Sequence, residues 1–316
     1  MTLTQLKYLV AIVEQGFNIT RAAAVLHTSQ PGISRQIRLM EEELGITMLS
    51  RNSGRIVGLT EEGIRVAMSA KRIVNEMTSL KLMGEEFLQQ ETGKLSIVTL
   101  HSFALSTLTE AIIMIRTRYP EVTIDVQHAS ASQCFEMMRA GGIDLGITIE
   151  EPPESYGLAS LPLGTVPRVL IVPQGHPLIK RDSIGLADIA SYPLIFHRSL
   201  ASSGWAVART FKKQGIELKP TVEAMDASVI KAYVEHGAGI AIISGAAYDP
   251  KRDPGLYAID LSHIIEPSYI SAVLDPFRYM RGFVYEFIEK LSPRWTKRNV
   301  DDAIRDIVSA TSYPKA

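Results

Sequence analysis

Cysteine is almost absent: Cys134 is the only one among 316 residues. One thiol excludes an internal disulfide and any zinc site built on cysteines, and Cys134 reads as a small core residue. Charge of one sign is lacking too. Lys and Arg number 33 against 34 Asp and Glu, a net −1. The whole molecule therefore has no field that draws in nucleic acid, and a DNA-binding function has to sit in a local patch. Apolar runs, Gly237–Ala247 among the longest, fall far short of the roughly 20 residues that span a bilayer, so no membrane partner is expected. Met1–Gly16 carries Lys7 and Glu14 inside its apolar pattern and has no small-residue cleavage site, so a secretory leader is not expected and a cytoplasmic location is. Enzyme motifs are missing as well: the chain has no P-loop, GxGxxG, HExxH or GxSxG. The seven histidines are scattered, and His176 before Pro177 and His236 before Gly237 read as turn and helix-end residues. No catalytic residue, metal or cofactor is expected.

With 46% hydrophobic and 21% charged residues, the chain has the make-up of an ordinary globular protein with two or three folding units. The first sixty residues hold three short helical patterns: Leu6, Leu9, Val10 and Val13, ending at Gly16; then Ala22, Ala23 and Leu26; then Ile33, Ile37, Met40 and Leu44. Between the second and third lies His27-Thr28-Ser29-Gln30-Pro31-Gly32. Thr28 or Ser29 can cap the new helix, and Pro31 is tolerated in its first turn. This is a helix-turn-helix, whose second helix enters the major groove by its N-terminal end. Gln30, Ser34, Arg35 and Arg38 face away from the apolar stripe and suit base edges and phosphates. Arg51 and Arg55 flank a turn between two short strands in Met48–Leu59, a wing that can place cations at a phosphate or in the minor groove. Six cations and four acids in residues 1–60 give +2, with three of the acids, Glu41–Glu43, at the far end of the third helix. A trihelical unit of this kind also serves as a plain protein-interaction module.

Thr60 is expected to cap a long helix to about Gln89, with Glu61 and Glu62 favouring its dipole. Val66, Ala70, Ile73, Met77, Leu80, Gly84 and Phe87 recur in steps of 4 and 3, the seam of a dimerising coil, though the same residues could pack on the chain's own C-terminal domain. Gly84–Gly93 suggests a bend or hinge. From Lys94 strand and helix signals alternate, as in an α/β sheet. Leu95–Leu100 reads as a strand, Ser102–Tyr119 as a helix, Val122–Gln127 as a strand, Ser132–Ala140 as a helix and Leu145–Thr148 as a strand. A second group runs from Val166 to Ser244, and late strands near Leu256–Ile259 and Tyr269–Leu274 with a helix Tyr279–Leu291 close the domain. The expected organisation is a DNA-binding domain at 1–59, a linker helix and hinge at 60–93, and an effector domain at 94–316. That domain has one lobe at about 94–163 and 268–316 and the other at about 164–267. Ligands of such sheets sit beyond the strands' carboxyl ends, where helix N-termini meet anions. The junction Thr99-Leu100-His101-Ser102-Phe103 and the hydroxyl-rich start at Arg198–Gly204, with Ser202 and Ser203, are the expected lining. Thr148 and Met225-Asp226 stand second. Helix capping alone would also account for these serines.

Thr28–Ile37, Glu41-Glu42-Glu43-Leu44-Gly45, Ser50-Arg51-Asn52 and Leu59-Thr60-Glu61-Glu62-Gly63 together resemble the LysR-type transcriptional regulators, over essentially the whole length. Within that family the chain is most similar to the CysB/Cbl branch, which governs sulfur assimilation. The stretches behind this are Asp226–Val234, Asp249-Pro250 with Asp253-Pro254, and Phe287–Pro293. The resemblance implies a periplasmic-binding-protein-like effector domain and a homodimer or homotetramer on double-stranded promoter DNA. It further implies a small effector that controls contact with RNA polymerase. It also implies a site for sulfate or a related anion at Leu100, Ser102, Phe103, Ile149 and Ser202. Leu100, Phe103 and Ile149 are apolar where that branch uses polar side chains. A larger effector with an anionic head and an apolar body, such as a sulfonate or another organic anion, is therefore expected.

Overall fold

The computed structural model describes residues 1–52, 55–87, 92–197 and 203–311. It separates into two units, Met1–Gln90 with Phe277–Arg281, and Glu91–Pro276 with Gly282–Ala316. In the first, α1 (Leu3–Glu14), α2 (Ile19–Val25) and α3 (Gln30–Leu44) precede the hairpin β1 (Leu49–Asn52) and β2 (Arg55–Leu59), and α4 (Glu61–Phe87) follows. Thr2 and Gln5 cap α1 reciprocally. Leu9, Ile12, Ala22, Ile33, Ile37, Met40, Met48 and Leu49 form one core, none more than 1% exposed. Burial of each large side chain there is worth about 1.5–3 kcal/mol.

Two contacts fix the wing to this core. The Glu41 carboxylate of α3 accepts from the Met48 and Leu49 N–H groups at 2.7 and 3.1 Å. Thr60 caps α4 by accepting from Gly63 N at 2.9 Å, while its hydroxyl donates to Thr47 O at 2.6 Å. A side chain at Gly63 would put its Cβ 2.0 Å from Met48 O, so only glycine lets α4 start this close to β1. The motifs Glu41–Gly45 and Leu59–Gly63 thus have a shared physical role.

The second unit holds two five-stranded sheets. Its elements in order are β3 (Gly93–Thr99), α5 (His101–Leu105), α6 (Thr109–Arg118), β4 (Val122–His128), α7 (Ala131–Ala140), β5 (Leu145–Thr148), β6 (Ala159–Val166), β7 (Arg168–Pro173), α8 (Leu186–Ala190) and β8 (Leu194–His197). Then come α9 (Ser203–Lys213), β9 (Pro220–Ala224), α10 (Ala227–Glu235), β10 (Ile240–Ser244), β11 (Leu256–Asp260), β12 (Ser268–Leu274), α11 (Gly282–Leu291) and α12 (Lys297–Thr311). The first sheet runs β4-β3-β5-β12-β6 and the second β11-β7-β10-β8-β9. The chain passes from one to the other at Pro167 and returns between Asp260 and Ser268. Cys134 is buried in the first lobe with Val98, Phe135 and Met138, where burial pushes its thiol up to about 12. In the second lobe Lys231 of α10 reaches both oxygens of Asp253 at 2.8 Å, and Asp253 also accepts from Asp249 N at 3.0 Å. This half-buried pair gives the Asp226–Val234 and Asp249–Asp253 stretches a common purpose.

Four elements differ from the sequence reading. The helix expected over Ser102–Tyr119 is two, α5 and α6, because Phe103 and Leu108 are both anchored in the interior and Ser106 turns its hydroxyl back to Ser102 O at 2.8 Å. The last sheet-covering helix starts at Gly282 rather than Tyr279, since Phe277–Arg281 belongs with the first unit. Strand β6 and helix α12 were not foreseen. Pro162 and Gly164 obscure β6 in the sequence, and α12 lies beyond the last strand signal.

Candidate DNA-reading surface and effector cleft

Helix α3 is built to present its N-terminal end. Ser29 accepts from Gly32 N at 3.3 Å, Pro31 sits in the first turn, and Gly45 closes the helix in the left-handed conformation, φ 69°. Ile33, Ile37 and Met40 take the buried face, which leaves Gln30, Pro31, Arg35 and Arg38 exposed and Thr28 and Ser34 half-buried beside them. Arg51 and Arg55 are exposed at the outer ends of the wing strands, while its tip, Ser53-Gly54, lies outside the described residues. Among the described residues, Arg35, Arg38, Arg51 and Arg55 form no ion pair. Of the acids at the far end of α3, Glu41 is occupied by the wing backbone and Glu43 by the Met1 ammonium. The surface around α3 and the wing is therefore left with cations that nothing intramolecular neutralises.

The expected seam of α4 divides into two. Ala70 is 1% exposed and Val66 packs with it against the winged core, so these two serve the domain's own interior rather than a partner helix. The reason is position: the first three turns of α4 lie across α1, whose apolar face they share. Beyond that cover Ile73 and Leu80 are 41% and 61% exposed, with Met77 half-buried between them on the same side. A different side of the helix meets the 277–281 segment, where the Arg72 guanidinium lies 5.6 Å from the Phe277 ring centre and Ser79 accepts from Tyr279 N at 3.1 Å. The expected hinge falls largely in residues 88–91, outside the described residues.

In the effector unit, α5 of the first lobe lies against the turn Gly245–Ala247 at the end of β10, and Arg252 donates to Leu105 O at 3.3 Å. The strand ends of both lobes thus face one cleft. From the first lobe come Leu100, His101, Ser102 and Ile149, all half-buried, with the His101 ring 5.2 Å from that of His128. Phe103 departs from the expectation: its side chain is 1% exposed and closes the lobe interior, because it points inward from the one-turn helix α5. Thr148 is fully buried, and its hydroxyl accepts from Glu150 N at 3.3 Å, so it shapes the end of its own strand. Ser202 lies outside the described residues, and Ser203 begins α9.

The second lobe contributes the expected Asp226 together with Arg168, Ser244 and His197, which the sequence reading passed over. Arg168 opens β7 at 3% exposure and, among the described residues, has no ion pair and no hydrogen-bond partner for its buried Nε; burial brings its guanidinium down to about 10. Its antiparallel neighbour Ser244 likewise has a buried Oγ without a partner. At the end of β8, burial lowers His197, and the charge of Arg168 adds to this while Met225 backbone and Asp226 oppose it. Asp226 loses hydration, which alone would raise its carboxyl. Its bonds to Ser228 and the charges of His101 and His197 nevertheless hold it below the usual range. His101 belongs to one lobe and Asp226 to the other, so ionisable groups of both lobes gather at these strand ends. Glu150, raised by burial, adds a buried unpartnered Oε1 beside the end of β5. An open hollow of about 400 Å³ at Ala208, Lys212 and Gly215–Leu218 lies at the other end of α9 and gathers no buried polar side chain. Among the described residues no group of three or more His, Cys, Asp or Glu is placed to hold a metal, and no helix is long and apolar enough to cross a membrane.

The bacterial regulatory helix-turn-helix protein, lysR family, matches residues 3–64, and the LysR substrate binding domain matches residues 88–295. The chain belongs to the LysR family. Curated relatives include the HTH-type transcriptional regulator CysB of Burkholderia cenocepacia, 35% identical over 99% of both chains. The regulator SsuR of the same organism is 32% identical over 98% of this chain and all of its own. The regulator cbl of Escherichia coli is 30% identical over 92% of each. Among solved structures, the cofactor-binding domain of the Cbl regulator aligns with TM-score 0.62 at 25% identity, over 67% of this chain and 93% of that one. A full-length OxyR from Pseudomonas aeruginosa has TM-score 0.70 at 19% identity over 92% and 94%, a likeness of fold alone. The protein is a LysR-type transcriptional regulator with a DNA-binding helix-turn-helix, related to CysB, SsuR and Cbl, and not an enzyme. Arg168 had one legible signal in this LysR-type chain, a lone cation heading the otherwise apolar strand Arg-Val-Leu-Ile-Val-Pro.

Proposed function

We propose that this LysR-type regulator lays α3 into the major groove of double-stranded promoter DNA, with Gln30, Ser34 and Arg35 at base edges or phosphates. Thr28, Ser29, Pro31 and Arg38 border that contact, and Arg51 and Arg55 of the wing take neighbouring phosphates. Ile73, Met77 and Leu80 of α4 pair two copies, so that a two-fold site meets two readers, and paired dimers make a homotetramer. The unpaired cations around α3 and the wing support this reading, since a surface left uncompensated within the chain is free to meet phosphates.

The cleft between the lobes takes a small anionic effector, whose binding alters promoter bending and contact with RNA polymerase in the cytoplasm. The single observation that carries the effector's charge is Arg168, a buried guanidinium at the strand ends without an ionic partner among the described residues. Leu100 and Ile149 add apolar surface, which favours an anionic head on an apolar body, and the kinship with CysB, SsuR and Cbl directs the choice toward organosulfur acids. Calorimetry against sulfate, alkanesulfonates and arylsulfonates tests the assignment. Sulfonates are expected to bind more tightly than sulfate; tight binding of sulfate alone refutes an organic effector, and binding of aromatic carboxylates alone points to a regulator of unrelated catabolism.

A further inference from the structure

Charged side chains are left buried without partners only at a cost of several kcal/mol, so a buried lone guanidinium calls for a reason. Arg168 sits where a ligand could supply it. It begins β7 directly after the crossover at Pro167, at the sheet end where β8 and β10 finish. Along β7, Leu170 and Val172 share its face and pack with Val207 and Phe211 of α9. Arg168 therefore lies on the α9 side of the sheet, at the end where α9 starts. Ser244, directly opposite in the antiparallel register, follows Ile240 and Ile242 on that same face. Two buried donors without partners, Arg168 Nε and Ser244 Oγ, thus stand side by side. The eleven-residue helix α9 begins at Ser203 on this face and at this end of the sheet, and the positive end of its dipole adds to the pull on an anion.

We propose that Arg168, with Ser244 beside it, is the anion-anchoring centre of the cleft, and that an oxyanion head group (sulfonate, sulfate or carboxylate) binds on the Arg168 guanidinium. The inference rests on the effector reading above but names a different residue set from the serines at the two helix starts. A planar guanidinium fits the paired oxygens of such a head group, and desolvation strengthens the contact. The cost of burying the cation in the ligand-free protein is recovered on binding, so the same residue that makes the site also makes the free cleft less stable. Arg168 is a binding residue here, and Ser244 supplies the second donor.

The test uses the full-length protein with sodium ethanesulfonate and sodium sulfate as probes, read by calorimetry and thermal unfolding. Arg168→Met, Arg168→Lys and Arg168→Gln are compared with Arg209→Ala, which removes an exposed cation paired with Glu266 at 3.3 Å. Arg168→Met is expected to weaken the better probe on the order of 100-fold while leaving the ligand-free melting temperature equal or higher. Arg168→Lys keeps part of the affinity, and Arg209→Ala binds as the wild type. If Arg168→Met does not fold, Arg168→Gln gives the same reading. Affinity within threefold of wild type in a folded Arg168 variant overturns the inference and leaves the cleft reading standing. A wild-type protein that binds neither probe, nor aryl sulfonates or carboxylates, overturns both.

Discussion

The winged unit and the effector unit both carry arginines that have no ionic partner among the described residues, and they hold them in opposite surroundings. Arg35, Arg38, Arg51 and Arg55 are exposed, so water solvates them and leaving them unpaired costs little. Their value lies in long-range attraction, which salt screens over about 8 Å at physiological ionic strength. Arg168 is 3% exposed and has given up its hydration. Its charge is held in place before any ligand arrives and is little affected by salt. In the function proposed, one unit meets a polyanion by many weak contacts, and the other meets a small anion by one fixed contact. A third case, Lys231, is largely shielded and paired with Asp253, and there the cation serves the fold.

Substitutions sharpen this contrast, and the largest effect is expected at the paired, largely shielded cation. Lys231→Ala strands the Asp253 carboxylate and should cost about 3–5 kcal/mol in urea unfolding of the effector unit; a loss below about 1 kcal/mol would mean the pair is worth no more than a surface bridge. Arg35→Ala should leave stability unchanged and cost about 1–3 kcal/mol of operator affinity while relaxing specificity at one base position, as read by binding to a panel of single-base operator variants. Arg55→Ala should weaken all DNA sequences alike and reduce the slope of log affinity against log salt by about 0.9, which a salt titration measures. An unchanged slope would remove the wing from the phosphate backbone.

The smallest effect concerns protons. Burial lowers both His176 and His197 below their ordinary 6.5. As pH falls through 6.5 the unfolded chain takes up protons before the folded one, so the stability carried by these neutral histidines, full above 6.5, declines toward acid. Melting temperatures between pH 7.5 and 5.5 should fall, and His197→Asn should flatten the curve. A flat wild-type profile would contradict the burial of both rings.

Much of the reader is plain in the sequence because its signals are local. Ser29, Pro31 and Gly45 punctuate α3 within a few residues, and Ile33, Ile37 and Met40 mark its buried face. The seam of α4 was legible as a pattern, yet periodicity cannot say which apolar stripe faces a partner. Ala70 went inward because α1 lies beside it, while Leu80, ten residues on, has no such cover. The cleft was legible only in part. Strand-to-helix junctions pointed to His101 and Ser102, but Phe103 followed the short helix α5 into the interior. Arg168 and Ser244 are 76 positions apart and meet only through the antiparallel pairing of β7 with β10, a register that no local pattern encodes. The loss of their hydrogen-bond partners is likewise a property of burial, not of residue type.

The proposed function turns on α3 reading a particular duplex. Footprinting of the DNA upstream of the protein's own gene, at 0.15 M salt with excess unrelated competitor DNA, measures this directly. The expected result is a protected, two-fold-related pair of half-sites that disappears in Arg35→Ala. Equal, salt-erased retention on every duplex tried, with no protected segment, would contradict it.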